Sequence, residues 1–279
     1  MRTGSALLAV HAAVALFALA ALFGKWIALP AVAIVLGRTA FAAIALALTL
    51  RIRSRPAGMP TPALAANGAI LALHWVSFFA AVQSASVAVA LLGYASFPLF
   101  VLLMERPASP QGVARQRYAP AALVIAGLLL IVPAFSWSNR ASQGLVWGLV
   151  SGASFAWLAV RNRGLVAAGD PARIALWQNA VAAACLLPIA TLGGAPAWPT
   201  ARDLALLAVL GIVCTALAHT LFIASMRRVS AHVASVVAAL EPVYGIALAA
   251  WLLNEIPGSR TVAGAALIVA AALVASRRA

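Results

Sequence analysis

Long apolar runs, separated by short polar or proline-containing breaks, dominate the pattern of the chain. The runs are rich in Ala, Leu and Val, and most are close to the roughly 20 residues that a helix needs to cross a bilayer. Ten runs are present, at 6–27, 31–50, 62–81, 85–104, 119–135, 144–160, 172–192, 203–223, 231–253 and 261–276. A membrane β-barrel would instead show segments in which apolar and polar residues alternate. The pattern predicts an all-α integral membrane protein with ten transmembrane helices.

The composition excludes the other broad classes of protein. Of 279 residues, 65% are hydrophobic and 9% are charged, whereas soluble domains carry roughly 25% charged residues. A disordered chain needs low hydrophobicity, which is the opposite of this composition. The two cysteines, Cys185 and Cys214, lie in apolar runs and indicate neither a disulfide framework nor a metal site. The first apolar run is longer than the 7–15-residue core of a signal peptide, and we interpret it as a retained helix.

The positive charge predicts the orientation of the helices. The net charge is +14, and cytoplasmic loops of membrane proteins carry an excess of Lys and Arg. If both termini are cytoplasmic, fourteen of the nineteen basic residues fall on that side. The others are Lys25, Arg38, Arg140, Arg202 and Arg260. A nucleic-acid-binding protein would need a clustered, soluble basic surface, so no nucleic-acid partner is predicted.

The chain contains an internal repeat. Residues 78–100 align without gaps with residues 222–244 at an offset of 144, and the alignment pairs Pro98 with Pro242. Each half holds five predicted spans, an odd number, so the second half enters the membrane inverted. Inverted repeats are typical of transporters whose substrate site lies near the midplane between the halves. We predict two inverted five-helix repeats, residues 1–138 and 139–279, around a central cavity.

Several motifs together resemble a known family. The second half contains Glu241-Pro242-Val-Tyr244, then Leu253-Asn-Glu255, and then Gly264-Ala-Ala-Leu-Ile268. This order resembles the EamA-type module of the drug/metabolite transporter superfamily, in which Glu-Pro in the ninth span is followed by a second glutamate and a glycine-containing last span. In the first half, Gly37-Arg38-Thr39 and residues 74–79 resemble its second and third spans. The chain departs from the pattern at Gln111, where the first half should repeat the loop glutamate.

The resemblance implies a bacterial inner-membrane exporter with ten helices and both termini in the cytoplasm. Members of the superfamily move amino acids, related metabolites or drugs, and the aromatic amino-acid exporters are the branch that this chain most resembles. Its expected partners are therefore a small-molecule solute and the lipid bilayer.

Charged side chains within the spans are candidates for function, because a charge at the bilayer centre costs about 2.5–3.5 kcal/mol on translocon scales. Glu241 lies near the middle of the ninth span. It either binds a proton or a substrate ammonium, or it is a structural carboxylate at the helix break caused by Pro242. Arg38 has the fork geometry to bind a substrate carboxylate. Alternatively, Arg38 extends to the interface or pairs with a helix end. Lys25, near the outer end of the first span, is interpreted as extending to the interface, with a coupling or structural polar role as the alternative.

Aromatic and polar side chains suggest a binding pocket. Trp157, Trp177 and the adjacent Gln178 lie deepest in the sixth and seventh spans, where they could stack on an aromatic solute or hold an ammonium through cation–π contact. Packing or lipid contact is the alternative interpretation.

The third and fourth spans add His74, Trp75 and Tyr94 to these candidates, and the repeat places Tyr244 in the same region. His74 either responds to protonation or bonds across helices. His219 and His232 are interpreted as structural, and the four histidines show no metal-site spacing.

The predicted function is alternating-access export of small amphiphilic metabolites, amino acids including aromatic ones. The alternatives are a drug or nucleoside-type efflux carrier, a channel, or a membrane-embedded enzyme. Nothing matches the G-x-x-x-x-G-K-[ST] nucleotide-binding motif, so neither ATP nor any cofactor is predicted. Transport would then follow the solute's own gradient or be coupled to protons.

Overall fold

A computed structural model describes residues 3–53, 61–104, 118–131, 135–192, 198–238 and 240–276. Within these ranges the chain is helical, with turns and short extended links and no strand. The helices are α1 (Thr3–Trp26), α2 (Ala31–Ile52), α3 (Pro62–Ser84), α4 (Val87–Tyr94), α5 (Phe97–Met104), α6 (Tyr118–Ile131), α7 (Arg140–Ala168), α8 (Pro171–Leu192), α9 (Ala201–Gly211), α10 (Ala218–Ser225), α11 (Ala231–Ala238), α12 (Glu241–Leu253) and α13 (Ser259–Ser276). A π-helical turn, Ile212–Leu217, joins α9 to α10.

Six of the described helical segments are long and apolar enough to cross a membrane. They are Gly4–Trp26, Ala31–Ile52, Pro62–Ser84, Arg140–Ala167, Pro171–Leu192 and Ala201–Ser225. Three shorter apolar segments are Val87–Val101, Glu241–Leu253 and Ser259–Ala271. Large apolar side chains such as Leu8, Ile52 and Leu192 are 73%, 82% and 84% exposed. A water-soluble monomer rarely exposes so much apolar surface, and a bilayer accounts for it.

Two predicted spans are interrupted in the middle. The predicted span 85–104 is divided into α4 and α5 at Ala95–Ser96, and the span 231–253 is divided into α11 and α12 just before Glu241. A proline is the second residue of each following helix, where its missing N–H leaves no hydrogen bond unmade. The break between the third and fourth predicted spans falls at Ala85–Ser86. The end of the predicted span 119–135 lies partly at 132–134, outside the described residues.

Close packing between helices depends on small residues. α3 packs along α7, α4 packs on the same helix, and α1 packs on α10. A Cβ atom on Gly148 of α7 would lie 2.9 Å from the Cα of Gly93 on α4, so only two glycines allow the helices to approach this closely. This packing brings α3, α4 and α7 together around the side chains of the candidate site.

Candidate functional site

A narrow cavity lies in the interior, lined by side chains from seven helices: Phe17, Ala20, Arg38, His74, Trp75, Phe78, Tyr94, Phe155, His219 and Glu241. The free volume is about 20 Å³, which is room for a single water molecule. The lining combines an arginine, a glutamate and two histidines with aromatic rings. Titratable groups in a mostly apolar cavity are the usual composition of a small-molecule site.

Arg38 of α2 is fixed on one side of the cavity and is only 1% exposed. Its Nε donates a hydrogen bond to Thr215 Oγ1 at 3.0 Å, and its Cζ lies 4.0 Å from the ring centroid of Trp75. Thr215 belongs to the π-helical turn, and its hydroxyl also donates to Leu210 O at 2.7 Å. Arg38 therefore does not extend to the membrane interface, and its guanidinium is held by a hydroxyl and a cation–π contact.

Glu241, the first residue of α12, lines the same cavity and is 3% exposed. Tyr94 lines the same cavity and interacts with this carboxylate. Its Oε2 atom has no hydrogen-bond partner among the described residues. A buried carboxylate requires a compensating cation and hydrogen bonds, and Arg38 supplies a positive charge within the same cavity.

The two cavity histidines are held in different ways. His74 Nδ1 lies 3.0 Å from both the carbonyl oxygen and the hydroxyl of Ser151, and its ring stacks on Phe155 with centroids 4.7 Å apart. His219 packs edge-on against Trp75 at 5.7 Å. The sequence predicted that His219 is a structural histidine near a helix end, whereas the structure places it in the cavity lining. The π-helical turn Ile212–Leu217, which the sequence pattern does not reveal, lies between α9 and His219.

The aromatic wall differs from the predicted one. It is formed by Phe17, Trp75, Phe78, Tyr94 and Phe155, and the Phe155 ring contacts the Phe17, Tyr94 and His74 rings. Contacts of this kind stabilise rings at centroid separations of about 4.5–7 Å. The apolar wall is therefore built from side chains of α1, α3, α4 and α7.

Three predicted aromatic site residues lie outside the cavity lining. Trp157 is 44% exposed and stands under the guanidinium of Arg161, 5.6 Å from it. Residues two apart on a helix point about 200° apart, so Phe155 faces the cavity and Trp157 faces outward. Trp177 is half-buried and packs against the core from its edge. Tyr244 is 40% exposed, three residues after the inward-facing Glu241.

Gln178 is buried in a separate polar cluster. Its Nε2 donates to Asn162 Oδ1 at 2.5 Å, and Asn67 Nδ2 donates to the same oxygen at 3.2 Å. The three amides connect α3, α7 and α8, as polar side chains do between transmembrane helices. Sequence reasoning did not identify Asn67 and Asn162, although both are amides within or beside apolar runs.

Lys25 does not simply extend into solvent, as its place near a helix end suggested. Its Nζ lies 3.6 Å from Glu255 Oε1 and donates to Ala85 O at 3.1 Å. Glu255 also accepts a hydrogen bond from the backbone N–H of Val87 at 2.9 Å. Lys25 therefore connects helix ends and does not line the cavity.

Comparison with known proteins identifies the family. Residues 142–277 match the EamA-like transporter family. The chain is 30% identical over 259 residues to the pseudopaline exporter CntI of Pseudomonas aeruginosa, an alignment that covers 89% of this chain and 87% of that protein. The chain belongs to the EamA-like transporter family. This confirms the predicted resemblance to the EamA-type transporters, and it makes the protein a multi-pass membrane transporter rather than an enzyme.

One further relative is also described as a transporter, and one solved structure shares the fold. An uncharacterized transporter of the archaeon Archaeoglobus fulgidus is 29% identical over 229 residues, covering 80% of this chain and 79% of that one. A solved crystal structure superimposes with a TM-score of 0.77 at 19% identity, covering 99% of this transporter and 98% of that chain. At this identity the crystal structure supports the fold alone.

Proposed function

We propose that this transporter exports small amphiphilic zwitterions, amino acids with aromatic side chains among them, by alternating access. The observation that carries the proposal is the presence of Arg38 and Glu241 in one buried, aromatic-walled cavity. A cation and a carboxylate in such a place match the carboxylate and the ammonium of an amino acid.

The binding mode follows from the groups that hold each charge. Thr215 occupies only the Nε of Arg38, and a guanidinium has further N–H donors suited to a carboxylate. Glu241, beside Tyr94, offers its unpartnered Oε2 to an ammonium. The rings of Trp75 and Phe155 provide apolar and cation–π surface for the rest of the solute. Trp157, Trp177, Gln178 and Tyr244 are not included in this binding mode.

The helix contacts support an arrangement of ten transmembrane helices as two inverted repeats, 1–138 and 139–279. α3 packs on α7 as α10 packs on α1, and α3 packs on α8 as α9 packs on α2. α2 packs on its own counterpart α8, and α6 packs on its counterpart α13. The breaks before Phe97 and before Glu241 are 144 residues apart, as the sequence repeat requires.

The cavity, at about 20 Å³, must widen to admit an amino acid, and alternating access would provide this widening. The two helix breaks lie directly at the cavity, since Tyr94 ends α4 and Glu241 begins α12. Discontinuous helices at the substrate site are a recurrent feature of transporters with inverted repeats. In this proposal, bending at the two breaks widens the cavity toward one side of the membrane at a time.

Direction and location follow from the charge pattern and from the relatives. The basic loops favour cytoplasmic termini in a bacterial inner membrane. The similarity to a pseudopaline exporter supports transport outward. The driving force is the solute gradient or a proton gradient acting through Glu241, without ATP.

Calorimetric titration of the purified transporter in detergent tests the substrate class with three matched probes. L-Phenylalanine carries both charges, phenethylamine lacks the carboxylate, and 3-phenylpropanoate lacks the ammonium. A charge-assisted hydrogen bond contributes about 1.5–3 kcal/mol, so each analogue should bind at least about tenfold more weakly than phenylalanine. In Arg38→Met, the advantage of phenylalanine over phenethylamine should fall about tenfold or more. Equal affinity of the wild type for phenylalanine and phenethylamine would contradict the proposed carboxylate site.

A further inference from the structure

We infer that His219 is a second donor to the substrate carboxylate beside Arg38, and that Asn179 is the positioning residue that sets its tautomer. The inference rests on the proposed function, because it assigns a specificity-determining residue to that same cavity. It uses the hydrogen bonds around Asn179 and the position of His219 against Trp75.

The orientation of the Asn179 amide is fixed by the helix backbone. Asn179 Nδ2 lies 2.8 Å from Ala175 O, and a carbonyl oxygen can only accept a hydrogen bond. The atom facing Ala175 is therefore the amide nitrogen, which carries two hydrogens. The same nitrogen lies 3.4 Å from His219 Nδ1, so its second hydrogen points to that ring atom.

This amide orientation sets the tautomer of His219. Because Nδ1 accepts a hydrogen bond from Asn179, the proton of the neutral ring is on Nε2. His219 is 1% exposed, and its Nε2 has no hydrogen-bond partner among the described residues. His219 thus presents a buried N–H donor without an acceptor in a cavity that has room for a ligand atom.

The donor lies on the same side of the cavity as Arg38. Thr215, which holds Arg38 Nε, precedes His219 by four residues, about one helical turn. Arg38 and His219 contact the same indole, that of Trp75, at 4.0 Å and 5.7 Å from its centroid. A carboxylate has two oxygens and about four lone-pair sites, so it can accept from the guanidinium and from the imidazole together.

Three variants separate this role from simple packing. His219→Phe keeps a ring against Trp75 but removes the donor. His219→Gln keeps an N–H₂ donor near the position of Nε2, and Asn179→Leu removes the tautomer constraint while preserving bulk. His11→Phe is the matched control, because His11 is exposed on α1 and does not line the cavity.

The readout is the ratio of the dissociation constants of phenethylamine and L-phenylalanine, measured by calorimetric titration. A lost hydrogen bond to a charged group should lower this ratio about tenfold or more in His219→Phe. The ratio should fall less in Asn179→Leu, stay near the wild-type value in His219→Gln, and remain unchanged in His11→Phe.

Nuclear magnetic resonance of ¹⁵N-histidine protein gives a second test that does not depend on the folding of His219→Phe. His219 should show a protonated Nε2 and an unprotonated Nδ1 in the wild type, and a tautomer mixture in Asn179→Leu. A protonated Nδ1 in the wild type would overturn the inference.

The outcomes also distinguish the inference from the proposed function. If the wild type prefers phenylalanine and His219→Phe keeps the full preference, the inference is wrong and the proposed function stands. If the wild type does not prefer phenylalanine over phenethylamine, the proposed carboxylate site is wrong, and the inference is overturned with it.

Discussion

Lys25 at the end of α1 and Glu255, two residues beyond α12, form an ion pair with Nζ and Oε1 3.6 Å apart. The pair joins three chain segments, since Lys25 also donates to Ala85 O and Glu255 accepts from the N–H of Val87 at the start of α4. Asn254 permits this placement, because its left-handed backbone, with φ of 53°, turns the chain back at the end of α12. The pair thus connects the helix ends on the side that the proposed topology places outside the cell.

Neutralising Glu255 should make the outer end of the helix bundle more accessible to reagents, with only a small effect on the stability of the fold. The two side chains are 27% and 24% exposed, and exposed ion pairs contribute about 0–1 kcal/mol. Glu255→Gln should therefore change the melting temperature little. In a variant with Ala20→Cys and without the native cysteines, it should increase the rate at which an impermeant maleimide reaches the cavity from outside. An unchanged labelling rate would show that the pair does not restrict access.

The charge exchange Lys25→Glu with Glu255→Lys distinguishes attraction from hydrogen bonding. It restores opposite charges, but a glutamate at 25 cannot donate to Ala85 O and a lysine at 255 cannot accept from the Val87 N–H. We expect a labelling rate between those of the wild type and Glu255→Gln. Complete restoration would mean that the charges alone hold the helix ends together.

Arg38 and Glu241 should depend on each other for stability. Arg38→Met leaves a buried carboxylate without the cation in its cavity, and an uncompensated buried charge is destabilising. The double variant Arg38→Met with Glu241→Gln should therefore be destabilised by less than the sum of the single variants, with a coupling of about 0.5–3 kcal/mol. Thermal unfolding in detergent measures this difference. Strict additivity would show that the two charges do not interact.

Trp75 and Trp157 offer a matched comparison of aromatic residues. Trp75 lines the cavity and lies against Arg38, whereas Trp157 is outward-facing. Because Trp is the strongest cation–π partner, Trp75→Phe should weaken L-phenylalanine binding several-fold, and Trp157→Phe should leave it unchanged. Calorimetric titration that shows weaker binding in Trp157→Phe and unchanged binding in Trp75→Phe would indicate that Trp157, and not Trp75, contacts the solute.

Gly148 and Gly164 on α7 provide a test of the close helix contact. Gly148→Ala places a methyl group against Gly93 of α4, and overpacking of this kind costs about 1–3 kcal/mol. Gly164 has nothing within 4 Å of the corresponding position, so Gly164→Ala should stabilise the helix by up to about 1 kcal/mol. Opposite shifts in melting temperature are expected. Equal shifts would indicate that α4 and α7 separate readily.

The apolar runs predicted most helix positions because the bilayer sets both their length and their composition. The ends of α1, α2, α3 and α8 lie within a few residues of the predicted ends. The division of two spans into separate helices, before Phe97 and before Glu241, was not predicted, because apolar residues continue through both breaks. The paired prolines marked the repeat, and only Pro242 was interpreted as a break, beside Glu241.

The lining of the candidate cavity was predicted in part. The depth of a residue within a span can be read from the sequence, but the direction of its side chain cannot. Arg38, His74, Trp75, Tyr94 and Glu241 were selected as polar or aromatic residues in apolar runs, and the structure places all five at one cavity. Trp157 was selected for the same reason and faces outward. His219 and Phe155 were missed, because only the packing of α10 and α7 brings them to the cavity.

Counterflow in proteoliposomes tests the proposed export of aromatic zwitterions most directly. Vesicles containing the transporter are loaded with unlabelled L-phenylalanine, and the uptake of a trace of labelled phenylalanine from outside is followed. We expect a transient accumulation that saturates with external phenylalanine, is lost in Arg38→Met and persists in Trp157→Phe. Uptake that does not respond to internal phenylalanine, or a wild type that behaves like Arg38→Met, would contradict the proposed function.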